Sequence, residues 1–326
     1  MAALTYEEIE AAAERIGDRV RRVVVAKADP GVVSAGDAAG SGEVYLALEF
    51  MQHTGTFKAR GQLNLLRAQL EVGTLPDAGV TIASGGNAGL ACAWAAQDQG
   101  VPATVFVPAT APQVKIAGLK RYGADVRLVG SQYAEALTAC QDFATTTGAL
   151  TSHAYDHPLV AAGAGTLLDE IRNQIPALNT VVVAVGGGGL FAGVATAAQQ
   201  PGIQTVAVEP ENSRALNAAL DAGRVVDVTI DSIAADSLGA RRTSEMGLHA
   251  AQHQTVQSVL VSDTEIIAAR QTLWDHCRLA VEHAAGAALA GVLGPASYRP
   301  SAGERVCVVL CGANTDPADL VQPSTT

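Results

Sequence analysis

The chain has 326 residues, 48% of them hydrophobic, 16% charged and 4% aromatic, and carries a formal charge of −11. That length suits one large or two moderate domains, and apolar content drawn mostly from Ala, Val and Leu excludes a disordered or fibrous protein. The acidic balance excludes nucleic acid and anionic membrane as partners, because both need basic surface, and no apolar run approaches the roughly 18 residues of a spanning helix.

The first segment, through Thr5-Tyr6-Glu7-Glu8, lacks the basic and apolar regions of a signal peptide. Thr5 with Glu8 is instead a capping box that opens an amphipathic helix. Residues 28–43, rich in Gly, Ala, Asp and Ser, read as a loop. A Gly/Thr-rich turn, His53-Thr54-Gly55-Thr56-Phe57, then leads into Lys58. Strands over 80–83, 103–107 and 125–129 alternate with helices over 87–97, 112–121 and 133–143. Thr145-Thr146-Thr147-Gly148 reads as a seam between lobes. Beyond it, strands over 180–185, 205–208, 258–261 and 305–310 are separated by helices, with a turn-rich stretch near 221–242. Strands spaced by helices give mostly parallel twisted sheets covered on their faces. The expected fold is therefore α/β in two lobes, a small one over 79–147 and a large one built from 1–78 and 148–326. Five scattered cysteines without a CxxC read as reduced thiols in a cytoplasm.

Three segments carry chemistry. Lys58 follows an apolar Phe57, and a lysine held near Phe away from water loses ammonium stabilisation, so its neutral amine becomes accessible for Schiff-base formation. A surface lysine at a helix start is the plainer reading. Gly186, Gly187, Gly188 and Gly189 follow a buried-looking strand and precede a helix near Leu190. Converging amides, a helix N-terminus and missing Cβ atoms suit a phosphate better than a turn alone. Gly187-x-Gly189-x-x-Ala192, with Glu209 22 residues after Gly187, also fits the loose dinucleotide pattern, so a nicotinamide oxidoreductase is a rival. Ser84-Gly85-Gly86-Asn87-Ala88-Gly89 repeats strand, glycine turn and helix. It offers a hydroxyl, an amide and backbone N–H groups to a carboxylate, or else ordinary N-caps. His249 and His253 lack a Glu or Cys cluster and read as a solvated face rather than zinc ligands.

Together these segments resemble the pyridoxal-phosphate enzymes of the tryptophan-synthase-β fold type (fold type II), specifically the threonine/serine dehydratase and serine racemase family. The likeness runs from the N-terminal helix to about Asp316. Thr54 to Gly61 resembles the lysine motif, Ser84 to Ala88 the substrate-carboxylate loop, and Gly186 to Leu190 the cofactor-phosphate loop. Tyr155-Asp156-His157-Pro158 with Gly163-x-Gly165-Thr166 resembles the segment before that loop. Val309-Leu310-Cys311-Gly312-Ala313-Asn314 resembles the strand end that faces the pyridine nitrogen.

The resemblance implies that Lys58 holds the cofactor aldehyde and, once released, removes the substrate Cα proton. It places Phe57 at the ring edge, Asn87 at the ring hydroxyl, Gly186, Gly187, Gly188, Gly189 and Leu190 at the phosphate, Cys311 at the ring nitrogen and Glu282 near the cofactor. Ser84, Gly85, Gly86, Asn87, Ala88 and Tyr155 fall to the substrate. The implied reaction is α,β-elimination of L-threonine and L-serine to 2-oxobutanoate or pyruvate and ammonia, by a homodimer or homotetramer. Alternatives are β-replacement or elimination on another β-substituted amino acid, and a non-catalytic module. Gly85 stands where racemases place an acid-base serine, which argues against two-base racemisation, and Ala88 replaces the usual His. Glu209 is followed by Arg214 and Ala215 where relatives hold a divalent cation, so no metal is expected. No C-terminal regulatory domain is expected either.

Overall fold

The computed structural model describes residues 3–33, 42–294 and 298–321. Helix α1 (Tyr6–Ile16) opens on the expected capping box, in which the Thr5 hydroxyl accepts the Glu8 amide and the Glu8 carboxylate accepts the Thr5 amide. Strand β1 (Val25–Lys27) precedes the expected loop, and a single turn, α2 (Pro30–Val33), replaces part of its start; the stretch 34–41 lies outside the described residues. Strand β2 (Glu43–Ala47) leads through two 3-10 turns, Glu49–Met51 and His53–Gly55, into α3 (Lys58–Glu71).

A run of parallel β/α units follows: β3 (Val80–Ala83), α4 (Asn87–Gln99), β4 (Ala103–Val107), α5 (Gln113–Arg121), β5 (Asp125–Leu128), α6 (Tyr133–Thr147) and β6 (Leu150–Thr151). These strands form a four-stranded sheet in the order β5-β4-β3-β6. Its edge strand β6 lies just past residues 145–148, so the sheet continues beyond the expected seam.

The chain then gives α7 (Pro158–Arg172), β7 (Thr180–Ala184), α8 (Gly189–Gln199), β8 (Gln204–Pro210), α9 (Ala215–Ala222), α10 (Ala235–Leu238) and α11 (Glu245–Ala251). Last come β9 (Val256–Val261), α12 (Asp263–Cys277), α13 (His283–Leu293), β10 (Arg305–Val309) and α14 (Ala318–Val321). The second sheet has six strands in the order β1-β2-β10-β7-β8-β9, parallel except for the β1–β2 edge. Every residue of β3, β4 and β7 is buried, which is why these strands read as continuous apolar runs and not as alternating ones.

Helix packing sets where the loops meet. A Cβ at Gly163 would stand 2.8 Å from the Gly61 Cα, and one at Gly165 would stand 2.8 Å from the Gly193 carbonyl oxygen. Helix α7 therefore touches α3 on one side and α8 on the other, backbone against backbone. Since α3 begins with Lys58 and α8 with Gly189, this contact fixes the distance between the lysine and the glycine loop. A buried ion network secures the same joint. Arg60, fully buried, donates to both Glu49 oxygens at 2.7 and 3.1 Å, to Glu170 at 2.6 and 2.9 Å, and to the Thr166 hydroxyl at 3.2 Å. Among the described residues no helix is long and apolar enough to cross a membrane.

Candidate active site

Lys58 starts α3 at the end of a turn that is fastened to the opposite strand end. Thr56 bridges Gly312, the Phe57 amide donates to the Cys311 carbonyl at 3.0 Å, and the Ala313 amide donates to the Gly55 carbonyl at 3.0 Å. The turn needs Thr54 in the left-handed region, at φ 63°, and glycine follows it. Two segments some 250 residues apart in sequence are thus stitched through backbone, and the lysine amine and the Cys311 thiol share one chamber. The Lys58 Nζ donates to the Ala154 carbonyl at 3.0 Å and lies 4.8 Å from the Phe57 ring centroid. Burial pulls its pKa down to about 8, against the smaller opposing pull of the Glu282 carboxylate. The Cys311 thiol is pushed up to about 12, by burial first and by the Glu282 charge second, so it is a neutral group.

The carboxylate loop follows β3. Its side chains do not cap α4: Gly86 is the N-cap residue, and the Ser84 hydroxyl accepts the Gly86 amide at 3.3 Å. The Asn87 amide nitrogen donates to Glu282 Oε1 at 2.8 Å, and the Asn87 carbonyl accepts from the Asn314 side chain at 2.9 Å. Glu282 precedes α13, yet its carboxylate turns away from that helix to accept from Asn87 and, at 3.0 Å, from the Asn314 backbone. Burial raises the Glu282 pKa.

The glycine loop sits between β7 and α8. Among the described residues the amides of Gly186, Gly187 and Gly188 have no acceptor. A Cβ on Gly187 would stand 2.4 Å from the Tyr155 ring, and one on Gly188 would stand 2.7 Å from the Thr243 hydroxyl, with Gly188 itself at φ 89°. That Thr243 hydroxyl is buried and lacks a partner among the described residues. Three unengaged amides at a helix N-terminus, backed by an aromatic ring and closed to any side chain, suit a phosphate group. With a lysine whose pKa is lowered and a neutral thiol in the same cavity, the residues present fit pyridoxal phosphate.

All three loops line one cavity of about 370 Å³. Of the residues singled out from the sequence, Phe57, Lys58, Ser84, Gly86, Asn87, Ala88, Tyr155, Gly186, Gly187, Gly188, Gly189, Leu190, Glu282 and Cys311 line it. Gly85 does not face it, and a Cβ there would point at Val107, 3.2 Å away. Tyr155 packs its ring on the glycine loop and donates its hydroxyl to the Arg242 carbonyl at 3.1 Å. Sequence reading missed Asn314, which joins three segments, and Lys115, Tyr133 and Asp236, which carry no motif and reach the cavity only through the fold.

Glu209 is buried away from this cavity and accepts the Leu216 and Asn217 amides at 2.7 and 2.8 Å, so it caps α9. Burial lifts its pKa to about 8. Arg214 turns to Asn217 and Asp221. Neither a ribose-binding nor a cation-binding role suits a carboxylate already held by two amides. Among the described residues no group of three or more His, Cys, Asp and Glu could hold a metal ion, and His253 lies past the end of α11, its ring on the Thr255 hydroxyl.

A sequence profile described as pyridoxal-phosphate dependent enzyme matches residues 33–312. L-threonine ammonia-lyase of Geobacter sulfurreducens is 33% identical over 315 residues, 96% of this chain and 76% of that protein. Phenylserine dehydratase of Ralstonia pickettii is 36% identical over 285 residues, 86% of this chain and 85% of that one. A crystal structure of a pyridoxal 5'-phosphate-dependent aspartate racemase superposes with a TM-score of 0.89 at 28% identity, covering 98% of both chains.

Proposed function

Because the chain belongs to the family of pyridoxal-phosphate dependent enzymes, we propose that it removes ammonia from β-hydroxy amino acids, L-threonine and L-serine among them, giving 2-oxobutanoate or pyruvate. The observation that carries this reading is the desolvated amine of Lys58 at the meeting point of two anion-binding loops. Bound pyridoxal phosphate supplies the sink for the electron pair left when the Cα–H bond breaks.

The chain's own residues do the rest. Gly186 to Gly189 hold the phosphate through backbone amides, while Ser84 and the amides around Gly86 and Asn87 hold the substrate carboxylate. These two anchors set Cα against Lys58. With a pKa near 8, Lys58 is poised to take the Cα proton at neutral pH, where an ordinary lysine is almost wholly protonated. Cys311 offers the ring nitrogen a neutral thiol and no carboxylate, which weakens electron withdrawal and favours a reaction whose electron pair leaves with the β-hydroxyl. Loss of water across Cα–Cβ followed by hydrolysis of the C–N bond consumes the same water again, so the net products are keto acid and ammonia.

Residues 79–147, with the edge strand β6 of the same sheet, act in this proposal as a small lobe that closes on the rest and excludes water. Assembly as a homodimer or homotetramer and a cytoplasmic location, suggested by five unpaired thiols, belong to the same proposal. The test is direct. Purified protein with pyridoxal phosphate should show a yellow absorption band that borohydride removes. It should release keto acid and ammonia in equal amounts from L-threonine, and Lys58→Ala should lose both properties. Keto acid formed only with added thiol or NAD would overturn the assignment.

A further inference from the structure

The carbonyl that accepts the Lys58 amine, that of Ala154, belongs to neither helix nor strand but to the connection from β6 to α7. Its neighbours fix where it stands. The Ser152 amide donates to the Thr81 carbonyl at 2.9 Å and so extends the β3–β6 pairing by one residue. The His153 ring closes the turn beyond, its Nδ1 accepting the Tyr155 and Asp156 amides at 3.3 and 2.8 Å. On its α3 side the segment meets Gln62, which stands four residues after Lys58 and shares its helix face. Gln62, 1% exposed, donates its amide to the His153 carbonyl at 3.0 Å and accepts the Ser152 hydroxyl at 2.5 Å. Lys58, one turn earlier, reaches the next carbonyl along. Both ends of the Gln62 amide are engaged, so it cannot turn over without losing both bonds.

We propose that Gln62 is a positioning residue for Lys58: its buried amide holds the Ala154 carbonyl at the cavity wall, so that the amine returns to one place and one acceptor whenever it is free. The inference rests on the reading of Lys58 as the base and adds the part that keeps it in place. Gln62 does not line the cavity and acts only through the segment it grips. A carbonyl stabilises an ammonium more than a neutral amine, because the bond to the cation is charge-assisted. With the carbonyl held, Lys58 is therefore the stronger base for the Cα proton. Without Gln62 the segment keeps its bond to Thr81 but loses this tie to α3, and the carbonyl is free to draw back. The amine then loses the acceptor for its proton and part of its aim. The titratable groups around it, Glu282, Cys311 and His153, stay the same. Asn64 supplies the contrast. It lies two residues on, is equally buried, donates to the Leu159 carbonyl at 2.7 Å and accepts from Arg15, with no bond to the 152–154 segment.

The experiment mixes cofactor-free protein with pyridoxal phosphate at a series of pH values and reads the rate at which the yellow band appears. That rate climbs as Lys58 loses its proton, so its midpoint reports the free amine. Wild type should turn at about pH 8, and Gln62→Met about one unit lower, the size of one hydrogen bond to a charged group. Adding Ser152→Ala leaves no stranded hydroxyl, so the double variant folds where the single one fails and should show the same shift. Asn64→Leu should lower the urea midpoint and leave the pH midpoint in place. On L-threonine, measured above both pH midpoints, Gln62→Met should lose at least about fivefold in kcat while KM stays within about twofold, since the carboxylate loop is untouched. A pH midpoint or a kcat that Gln62→Met and the double variant leave unmoved, or a pH midpoint that Asn64→Leu moves as far, overturns the proposal. Such a result alongside keto acid from L-threonine spares the elimination reading. A shifted midpoint without any keto acid from wild type sinks that reading and spares the placing of the amine by Gln62. No band in wild type removes both.

Discussion

Replacing Lys58 with methionine in the cofactor-free protein tests the physical basis of the site without relying on turnover. The side chain keeps nearly the same shape and loses its charge. Burial lowers the folded-state pKa from 10.5 to about 8, so the unfolded chain binds more protons throughout that window. Wild-type stability must therefore rise with pH across it, the penalty being fully present below pH 8 and relieved as the amine deprotonates. That pKa difference corresponds to about 3 kcal/mol of destabilised cation. Losing the hydrogen bond to Ala154 returns about 1 kcal/mol, so at pH 7 the variant should be more stable by about 2 kcal/mol. Between pH 7 and pH 9.5 the wild type should recover about 2 kcal/mol relative to the variant, following the linkage relation. Urea unfolding of both proteins at the two pH values measures this. Profiles that stay parallel would show that the amine is hydrated and that its poise as a base was misjudged.

Other perturbations address the supports of the site. Gly187→Ala drives a methyl into the Tyr155 ring and should weaken pyridoxal-phosphate binding by tenfold or more in a cofactor titration; Tyr155→Ala in the same chain should restore part of it. Arg60→Met leaves the fully buried Glu49 carboxyl without its cation, to be held as a charge or protonated, at a cost of about 3–5 kcal/mol in urea unfolding, whereas adding Glu49→Leu should recover much of the loss. Glu282→Ala strands the Asn87 and Asn314 donors and should cost about 2 kcal/mol; Glu282→Gln keeps an acceptor oxygen and should cost less than half as much. Because burial raises the Glu282 pKa, its ionisation draws stability away as pH climbs through the raised value, and that loss should be absent from Glu282→Gln in unfolding curves taken at several pH values.

The legible parts of this fold are those whose signals are local. Strands β3 and β4 begin and end where their apolar runs do, because both are buried on two faces. Helix α6 outruns its expected end at 143 because Thr145, Thr146 and Thr147 turn their hydroxyls back onto the carbonyls of the preceding turn, so a threonine run that reads as a linker continues as helix to Gly148. Strands β1 and β6, three and two residues long at sheet edges, exist only through their partners. In the site, the lysine and both glycine loops announce themselves by residue type, and the comparisons bear out the family they point to. Asn314 did not, since its role is to join Thr54, Asn87 and Glu282, positions distant in the chain. Lys115 and Asp236 form their pair across 121 residues, and nothing near either one marks it.

Asn87 opens the first helix of the four-stranded half, yet its side chain is clasped by Glu282 and Asn314 from the six-stranded half. A swing of one half against the other must either tear those two hydrogen bonds or turn about them. If they hold, Asn87 is the fulcrum, and displacement grows with distance from it. The exposed ion pair between Lys115 of α5 and Asp236 of α10 also joins the halves at this cavity, and it has to part for such a turn. A fulcrum at Asn87 keeps the clasped end shut beside Lys58 while the screened pair yields.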